Sequence, residues 1–522
     1  MGEAQHGGPS WKRILGFACH QGCIFSLFYM GSNRGLALGG TVFERADLFL
    51  VLVFMCLAFA FGKAHIARAL ESNAATSTIL ASAAMLVVGT IAPQFPLNSH
   101  AIGLVIEGVL VGYPLAELFL AWSIVLGSGS PRTIACEVFA ATGFASAICF
   151  ACAFMPSMAQ VAVPVVCAIA GSLIVALCLQ ERSHASTPQD TARTFENFPP
   201  HREAVGAHAS TEETEAPDTD PGNTPDDARA LPKLSLSSVF KKAGVGAMST
   251  RMIAGAVMFG IAAGFMESYR SDPGMLSTPD FPATLLILAL FCVAVLQSLF
   301  VEKPTEGESL GSMYRIAMLV IMAGFLFAPL LQNSGVPGEA IILAGYLGLV
   351  ASFMSFFLVM ARVAQAQPAL TFAGGLLALY AGEALGIAAA NIYDTTMPSA
   401  DFSYGIMACA GLAILFAYLF LFTERDFRAL SEIVDTSDEQ ERACERLVER
   451  FSLSTREAEV LALALKGRSN ERIAQELFVA KSTADTHMRR IYAKCGVKGR
   501  QELIDLGERT VEELRGTKSR AR

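Results

Sequence analysis

The chain has few charged residues. Asp, Glu, Lys and Arg make up 16% of its 522 residues, whereas about 25% is usual in soluble domains. Apolar residues make up 53%. This balance excludes a typical soluble enzyme and indicates a membrane protein with soluble parts attached. At this length more than one domain is expected.

Motifs that carry catalysis are also missing. The sequence has no phosphate-cradling glycine loop with a lysine, no His-Glu-x-x-His zinc pattern and no nucleophile elbow. No soluble segment before the C-terminal region is large enough for a phosphorylation receiver. We therefore expect no enzyme activity, no metal site, no cofactor and no phosphorelay input.

The twelve cysteines do not form a disulfide framework. Most lie in apolar runs, where a free cysteine behaves as a small hydrophobic residue. Cys149 and Cys152 have redox spacing, but no adjacent charge favours a reactive thiolate. His487 is interpreted as a packing residue, because no second metal-binding side chain lies at a suitable spacing.

Twelve apolar runs are long enough to cross a bilayer as helices. The first six are residues 14–31, 46–62, 76–95, 101–126, 133–154 and 158–179. The second six are residues 245–266, 281–301, 313–332, 338–361, 369–392 and 402–423. The predicted fold class is therefore all-α, with a polytopic transmembrane bundle of six plus six helices.

Lys and Arg are concentrated in alternate loops. With a cytoplasmic N-terminus, thirteen basic residues between Lys12 and Arg428 occupy inner positions. The outer loops then hold only Arg34, Arg45 and Arg270. Because cytoplasmic loops are enriched in basic residues, we expect both chain termini in the cytoplasm.

A polar segment, residues 181–238, separates the two sets of spans. Between Glu181 and Ser235 it carries eleven acidic and five basic side chains and almost no large apolar residue. Such a segment cannot bury enough surface to offset its ordering entropy. We predict a disordered cytoplasmic linker between one transmembrane half, residues 1–180, and another, residues 239–424.

Six helices, a long linker and six more helices resemble the arrangement of major facilitator transporters, whose two halves surround a central cavity. This resemblance rests on helix number and linker position. The loop after the second span, "FGKAHIARALESNA", lacks the Asp-Arg-x-Gly-Arg sequence of that family. The resemblance implies an alternative function, a transporter with an accessory C-terminal domain.

Glu107 and Glu383 lie near the middle of predicted spans, with Glu117, Asn391 and Gln297 as further polar candidates; Glu107, Glu383 and Asn391 are the residues we predict for a ligand or proton site. Charged groups in lipid are energetically unfavourable and often mark functional sites. One interpretation is a site for a cation, a proton or a small polar ligand. The other is hydrogen bonding between helices.

The character of the chain changes after residue 424. Residues 425–446 combine charges with apolar residues at helical spacing, which predicts connecting helices. Residues 447–511 are predicted to form four short helices, and residues 512–522 a basic tail. From Ser452 to Arg522, fifteen basic side chains exceed ten acidic ones, which suits a polyanionic partner.

The second and third of these helices follow the helix-turn-helix plan, in which the second helix of the motif enters the major groove of DNA. In the third helix, four apolar residues follow one another at spacings of four, three and four positions, which predicts one buried stripe: Ala484, Met488, Ile491 and Cys495. Asp485, Thr486 and Arg489 then face away from the domain core.

This region resembles the DNA-binding domain of LuxR-type transcription regulators. The matching stretches are "LSTREAEVL", "GRSNERIAQEL", "KSTADTHMRRI" and "RQEL", within about residues 450–511. The resemblance implies bacterial transcription control and a homodimer on double-stranded DNA. RNA polymerase is a further candidate partner. The expected location is the inner, cytoplasmic membrane.

The resemblance also implies which side chains contact DNA. Positions matching Asp485, Thr486 and Arg489 reach base edges. The other DNA-binding residues lie near phosphates or extend the basic surface: Asn470, Lys481, Ser482, Thr483, Arg490 and Lys494. Family members usually have Ser at position 480 and a basic residue at position 485. Glu457 and Arg500 are interpreted as scaffold residues, and a pair between them is one option.

A merely solvated surface is the alternative interpretation of the basic residues on the third helix. If these residues bind DNA, the sequence predicts a membrane-embedded one-component transcription regulator. Its twelve-helix domain senses a ligand or a membrane state, and its C-terminal domain binds DNA. The bilayer and an unidentified small molecule are its other expected partners.

Overall fold

The computed structural model describes the following residues: 9–30, 34–38, 41–72, 74–92, 101–186, 250–268, 280–301, 314–324, 338–363, 368–396, 403–418, 440, 442–477 and 479–520. These residues are mostly helical, as predicted. Nearly all of the predicted disordered linker lies outside the described residues. The helix before it continues to Ser186, beyond the predicted end of the first half.

Six helices overlap the predicted spans of the first half. They are α1 (Trp11–Phe28), α2 (Ala46–Glu71), α3 (Ala75–Ile91), α4 (Ala101–Leu126), α5 (Pro131–Cys152) and α6 (Ser157–Ser186). Helix α2 contains a π-helical turn at Ala58–Gly62.

A short antiparallel hairpin lies between α1 and α2. Its strands are β1 (Leu36–Leu38) and β2 (Thr41–Phe43), with Leu36 opposite Phe43. We did not predict these strands from the sequence. The signal was present, because "LALGGTVF" places two apolar stretches around a glycine pair, a pattern typical of tight hairpins.

Six further helices overlap the predicted spans of the second half. They are α7 (Thr250–Ser268), α8 (Asp280–Val301), α9 (Tyr314–Gly324), α10 (Gly338–Val363), α11 (Pro368–Thr396) and α12 (Ser403–Phe416). The all-α class and the polytopic bundle are therefore confirmed.

The outer surface of the bundle is apolar. Among the described residues, seven helices have the length and composition to cross a membrane. Large apolar side chains such as Phe61, Ile102 and Leu290 are exposed on this surface, which suits lipid contact. His20 and Gln21 interrupt the apolar run of α1, and both are buried inside the bundle.

The two halves pack against each other. Helices α8 and α10 contact α5, and α11 contacts α2 and α4. Within the second half, α7 lies along α11, and glycine allows their backbones to approach closely. A Cβ atom at Gly264 would overlap the backbone oxygen of Glu383, so this contact fixes the position of Glu383 in the bundle.

The C-terminal part forms a small helical domain. Its helices are α13 (442–450), α14 (Thr455–Leu465), α15 (Asn470–Glu476), α16 (Lys481–Cys495) and α17 (Arg500–Arg520). They bury an apolar core of their own that includes Leu461, Ile473 and Met488. Helix α17 continues through most of the predicted basic tail.

Candidate functional site

Helix α14 begins with a capping box. The Ser454 hydroxyl accepts from the Glu457 backbone N–H, and the Glu457 carboxylate accepts from the Ser454 backbone N–H at 2.8 Å. The same carboxylate accepts from Lys494 Nζ at 2.6 Å. Burial raises the pKa of Glu457, but the bonds from Lys494 and Ser454 outweigh it and hold the pKa below its usual value.

The turn between α15 and α16 is short. Ser469 caps α15 by accepting from the Arg472 backbone N–H. Ala480 occupies the N-cap position of α16 and has no side-chain cap bond. Gly496 ends α16 at a φ of 68°, a left-handed conformation in which glycine avoids the strain that a Cβ introduces.

The inner face of α16 is apolar, as predicted. The four residues of the predicted stripe are buried: Ala484, Met488, Ile491 and Cys495. Burial also raises the pKa of the Cys495 thiol, which keeps it protonated near neutral pH. The stripe therefore anchors α16 to the domain core and leaves its other face outward.

The outer face of α16 carries most of the predicted DNA-binding residues. The exposed side chains on this face include Lys481, Ser482, Thr483, Thr486, Arg489 and Arg490. The Thr486 hydroxyl donates to the Ser482 carbonyl at 2.8 Å. One helix face thus presents three cations together with short hydroxyl side chains, which is chemistry suited to phosphates and base edges.

Two other predicted DNA-binding residues form contacts inside the domain. Lys494 donates to Glu457 and to the Ser452 carbonyl at 3.3 Å, so it ties the end of α16 to the start of α14. Asn470 Nδ2 donates to Asp485 Oδ1 at 2.7 Å, and Asn470 Oδ1 accepts from Arg500 at 3.0 Å. Asn470 therefore links α15, α16 and α17.

Glu457 and Arg500 both make contacts within the domain, but they do not pair with each other. Glu457 binds Lys494, whereas Arg500 donates to Asn470 and to the backbone oxygen of Arg468. The sequence did not distinguish these partners because both cations follow α14 by similar distances along the chain. Only the packing of α16 and α17 places Lys494 at the carboxylate.

A second candidate site lies in the membrane bundle. A cavity of about 60 Å³ is bounded by α1, α2, α4 and α5 from the first half and by α10 and α11 from the second. Of the three polar residues predicted for a ligand site, only Glu383 lines it. Tyr346 donates its hydroxyl to Glu383 at 2.9 Å.

Glu107 and Asn391 lie in other contacts. Arg34 forms a two-bond ion pair with Glu107, and its Nε lies 3.6 Å from Asp47. Asn391 accepts from the Glu44 backbone N–H at 2.5 Å and donates to the Glu44 carbonyl at 3.2 Å. The structure therefore does not bring the three predicted ligand residues together in one site.

An ion pair between the halves was not predicted. Arg45 is 1% exposed, donates to the Phe28 carbonyl at 2.9 Å and pairs with Glu267 of α7. Its guanidinium also lies 5.7 Å from the centre of the Tyr29 ring. The sequence places Arg45 only in an outer loop and does not indicate its partner.

Comparison with known proteins identifies the C-terminal domain. Residues 451–506 match the family described as "Bacterial regulatory proteins, luxR family". This region is 42% identical over 66 residues to the HTH-type transcriptional regulator MalT of Yersinia pestis (strain Pestoides F), and 44% identical over 66 residues to MalT of Vibrio campbellii (strain ATCC BAA-1116). The predicted LuxR-type DNA-binding domain is confirmed.

The matched part of each protein is small. Each match covers 13% of this chain, and the chain spans 7% of the length of these curated relatives. The likeness therefore concerns the DNA-binding domain and not the rest of either protein.

The chain is also similar to solved transporter structures. One is the major facilitator transporter FucP in an outward conformation, with 10% identity, a TM-score of 0.43 and coverage of 79% of this chain and 97% of that one. Another is the human organic anion transporter MFSD10, with 12% identity, a TM-score of 0.45 and coverage of 79% and 98%. These values carry no conclusion about activity.

Proposed function

We propose that this chain is a one-component transcription regulator of the bacterial inner membrane, with both termini in the cytoplasm. The observation that carries the proposal is a LuxR-type helix-turn-helix domain with an exposed cationic recognition face, in a chain whose other described helices form a membrane bundle. No enzymatic step is part of this function.

In the proposed complex, α16 lies in the major groove of double-stranded DNA. Thr486 and Arg489 contact base edges together with Asp485. Lys481, Ser482, Thr483 and Arg490 contact phosphates and set the register of the helix. Asn470 and Lys494 support binding mainly by holding α14, α15 and α16 together, since Asn470 donates to Asp485 and Lys494 donates to Glu457 within the domain.

The membrane bundle supplies the proposed input. A small molecule that binds two packing states of the bundle with different affinity changes the population of each state. The cavity between the halves is the place where such a molecule contacts both. A change in packing there alters how two DNA-binding domains pair as a homodimer on DNA, and hence their contact with RNA polymerase.

Genome-wide DNA capture from cells making the full chain tests the DNA-binding part. The wild type should recover a defined set of sites, and Arg489→Ala should recover them at least about fivefold less efficiently, because one good base contact contributes about 1–3 kcal/mol. Arg456→Ala is the matched control, since Arg456 is exposed on α14 and pairs with Glu459. Equal recovery by wild type and Arg489→Ala contradicts the assignment.

Replacing the bundle by an unrelated membrane span tests the sensing part. We expect the chimera to bind the same sites but to lose regulated transcription. Unchanged regulation in the chimera would make the bundle a passive anchor. Substrate flux into vesicles that is lost in Glu383→Gln, with DNA capture intact, would instead support a transporter with an accessory DNA-binding domain.

A further inference from the structure

The bundle cavity contains a carboxylate without a cationic partner. Glu383 is 3% exposed, lines the cavity and accepts the Tyr346 hydroxyl. No Lys, Arg or His nitrogen in the described part of the chain lies within salt-bridge distance of it. Burying an ionised carboxylate without a cation is strongly unfavourable, so this group is either protonated or matched by a cation that enters the cavity.

The nearby arginines are already matched to other carboxylates. Arg45 pairs with Glu267, and Arg34 pairs with Glu107 and lies near Asp47. In this part of the described bundle, the two arginines therefore lie against three carboxylates, those of Asp47, Glu107 and Glu267, and Glu383 is a fourth. Among these described side chains the charge balance is negative, which favours a positively charged ligand over an anionic one.

A second polar group in the cavity lacks a strong partner. Gln21 is 5% exposed and lines the cavity. Its Nε2 donates to the sulfur of Met354 at 3.6 Å, and a thioether is a weak acceptor. Buried amides usually have stronger hydrogen-bond partners, so Gln21 is placed to bind a polar group of a ligand.

The remaining walls favour an organic cation over a metal ion. Most lining residues are apolar, and several are aromatic: Phe25, Phe28, Tyr29, Phe119, Tyr346 and Tyr380. Aromatic faces attract organic ammonium groups, whereas Ca²⁺ and Mg²⁺ require about six or more oxygen ligands. The open space holds roughly four water molecules, at about 15 Å³ each, so the ligand is small.

We propose that this cavity binds a small organic ammonium ion, with Glu383 as its counter-ion, the tyrosine rings around it and Gln21 on a second polar group. The inference rests on the proposed sensing function, because it names the class of the sensed ligand. When the ammonium ion is bound, its positive charge neutralises the Glu383 carboxylate, so the carboxylate no longer needs a proton.

The test uses the purified full chain in detergent and two matched pairs of probes. One pair is n-propylammonium and propanol. The other is choline and its uncharged analogue, in which a tert-butyl group replaces the trimethylammonium group. Melting is followed by tryptophan fluorescence, since Trp122 is buried in the bundle and does not line the cavity.

At least one ammonium ion should raise the melting temperature of the wild type by about 3 °C or more near saturation. Its uncharged analogue should raise it much less. Equal shifts within both pairs, or no shift from either ammonium ion, would overturn the proposal. This comparison needs no variant and therefore holds even if a substituted chain does not fold.

Glu383→Gln should bind the effective ammonium ion about thirtyfold more weakly or worse, because it removes one partner of a buried charge pair. The control is Glu117→Gln, a buried glutamate that accepts from Ser82 at 2.7 Å and lies outside the cavity lining. The control should keep the shift. Equal affinity in Glu383→Gln and wild type would overturn the assignment of Glu383.

The outcome can be separated from that of the sensing proposal. If the ammonium ion binds but transcription from the captured sites does not change, the cavity assignment stands and sensing fails. If transcription depends on the bundle but neither ammonium ion binds, the ligand class is wrong and the sensing proposal stands.

Discussion

Asp485 lies on the helix that we propose to read DNA, α16, at a position where LuxR-type domains are expected to carry a basic residue. Its Oδ1 is held by Asn470, which is itself held by Arg500. An ionised carboxylate accepts hydrogen bonds and cannot donate them. In the proposed complex it therefore accepts from the amino group of cytosine, and it cannot bind guanine as a basic residue does.

Substituting Asp485→Lys should change the preferred base at the position it contacts. We expect a shift from cytosine towards guanine, by about tenfold or more, because one good contact contributes about 1–3 kcal/mol. The measurement is the base frequency in sites captured from a randomised DNA pool by the full chain. Asn470→Ala should loosen the preference without reversing it. An unchanged base frequency in the Asp485→Lys variant would show that Asp485 does not contact a base.

Glu457 makes the stability of the DNA-binding domain depend on pH. Its pKa is lower in the folded domain than in the unfolded chain, so its stabilising contribution is present above the ordinary glutamate pKa. That contribution is lost as the pH falls through the lowered folded pKa. We expect melting temperatures to fall below about pH 4.5, where glutamate begins to be protonated in the unfolded state.

Glu457→Gln should lower stability near neutral pH by up to about 1 kcal/mol, because glutamine can keep the capping bonds but loses the charge that pairs with Lys494. The variant should also show a smaller fall in melting temperature below about pH 4.5. Thermal melts of the fragment 440–522, which contains its own apolar core, measure both effects. The control is Glu459→Gln, because Glu459 forms an exposed pair with Arg456. An equal fall in melting temperature at low pH for wild type and Glu457→Gln would contradict the prediction.

At the scale of elements, the close packing of α7 on α11 is the feature that positions Glu383. Gly264 and Gly260 of α7 allow this approach, since a Cβ at either one would overlap the backbone of α11. Gly382 and Gly386 of α11 meet α7 in the same way. Backbone atoms cannot move aside as a flexible side chain can, so a methyl group here must separate the helices.

Gly264→Ala should therefore lower the melting temperature of the bundle by several degrees, because overpacking costs about 1–3 kcal/mol. It should also weaken any ligand binding that depends on Glu383. Gly62→Ala is the matched control, since its nearest neighbour, Ile66, is at ordinary contact distance. The control should be neutral or slightly stabilising. A neutral Gly264→Ala would show that the helices are not held by this contact.

At the scale of the whole molecule, the ion pair between Arg45 and Glu267 connects the two halves. Both side chains are almost fully buried, at 1% and 0% exposure. The hydrogen bonds between Asn391 and the Glu44 backbone also connect the second half to the first half. These contacts hold one arrangement of the halves around the cavity.

Removing one partner of this pair leaves an uncompensated buried charge. Arg45→Ala should destabilise the bundle by about 3–5 kcal/mol, whereas Arg45→Met combined with Glu267→Leu should recover much of the loss. Lys12→Ala is the control, because Lys12 and Glu181 form an exposed pair with a contribution of about 0–1 kcal/mol. Detergent melts compare the variants. Equal losses for Arg45→Ala and Lys12→Ala would contradict the prediction.

The sequence by itself determined the class of the molecule, its helical spans and its DNA-binding domain. An apolar run of bilayer length forms a helix because lipid leaves its backbone no other hydrogen-bond partners. The buried stripe of α16, from Ala484 to Cys495, follows from helical spacing alone. Both signals are local, so neighbouring residues are enough to reveal them.

Only the tertiary structure decided which polar groups meet. Arg45 and Glu267 are 222 positions apart, and Glu383 reaches Tyr346 and the cavity only because glycines bring α7 against α11. The same holds for Asn470 between Asp485 and Arg500. A charge in the sequence shows that a partner is needed, but the packing of distant helices decides whether that partner is an arginine, a tyrosine or a ligand.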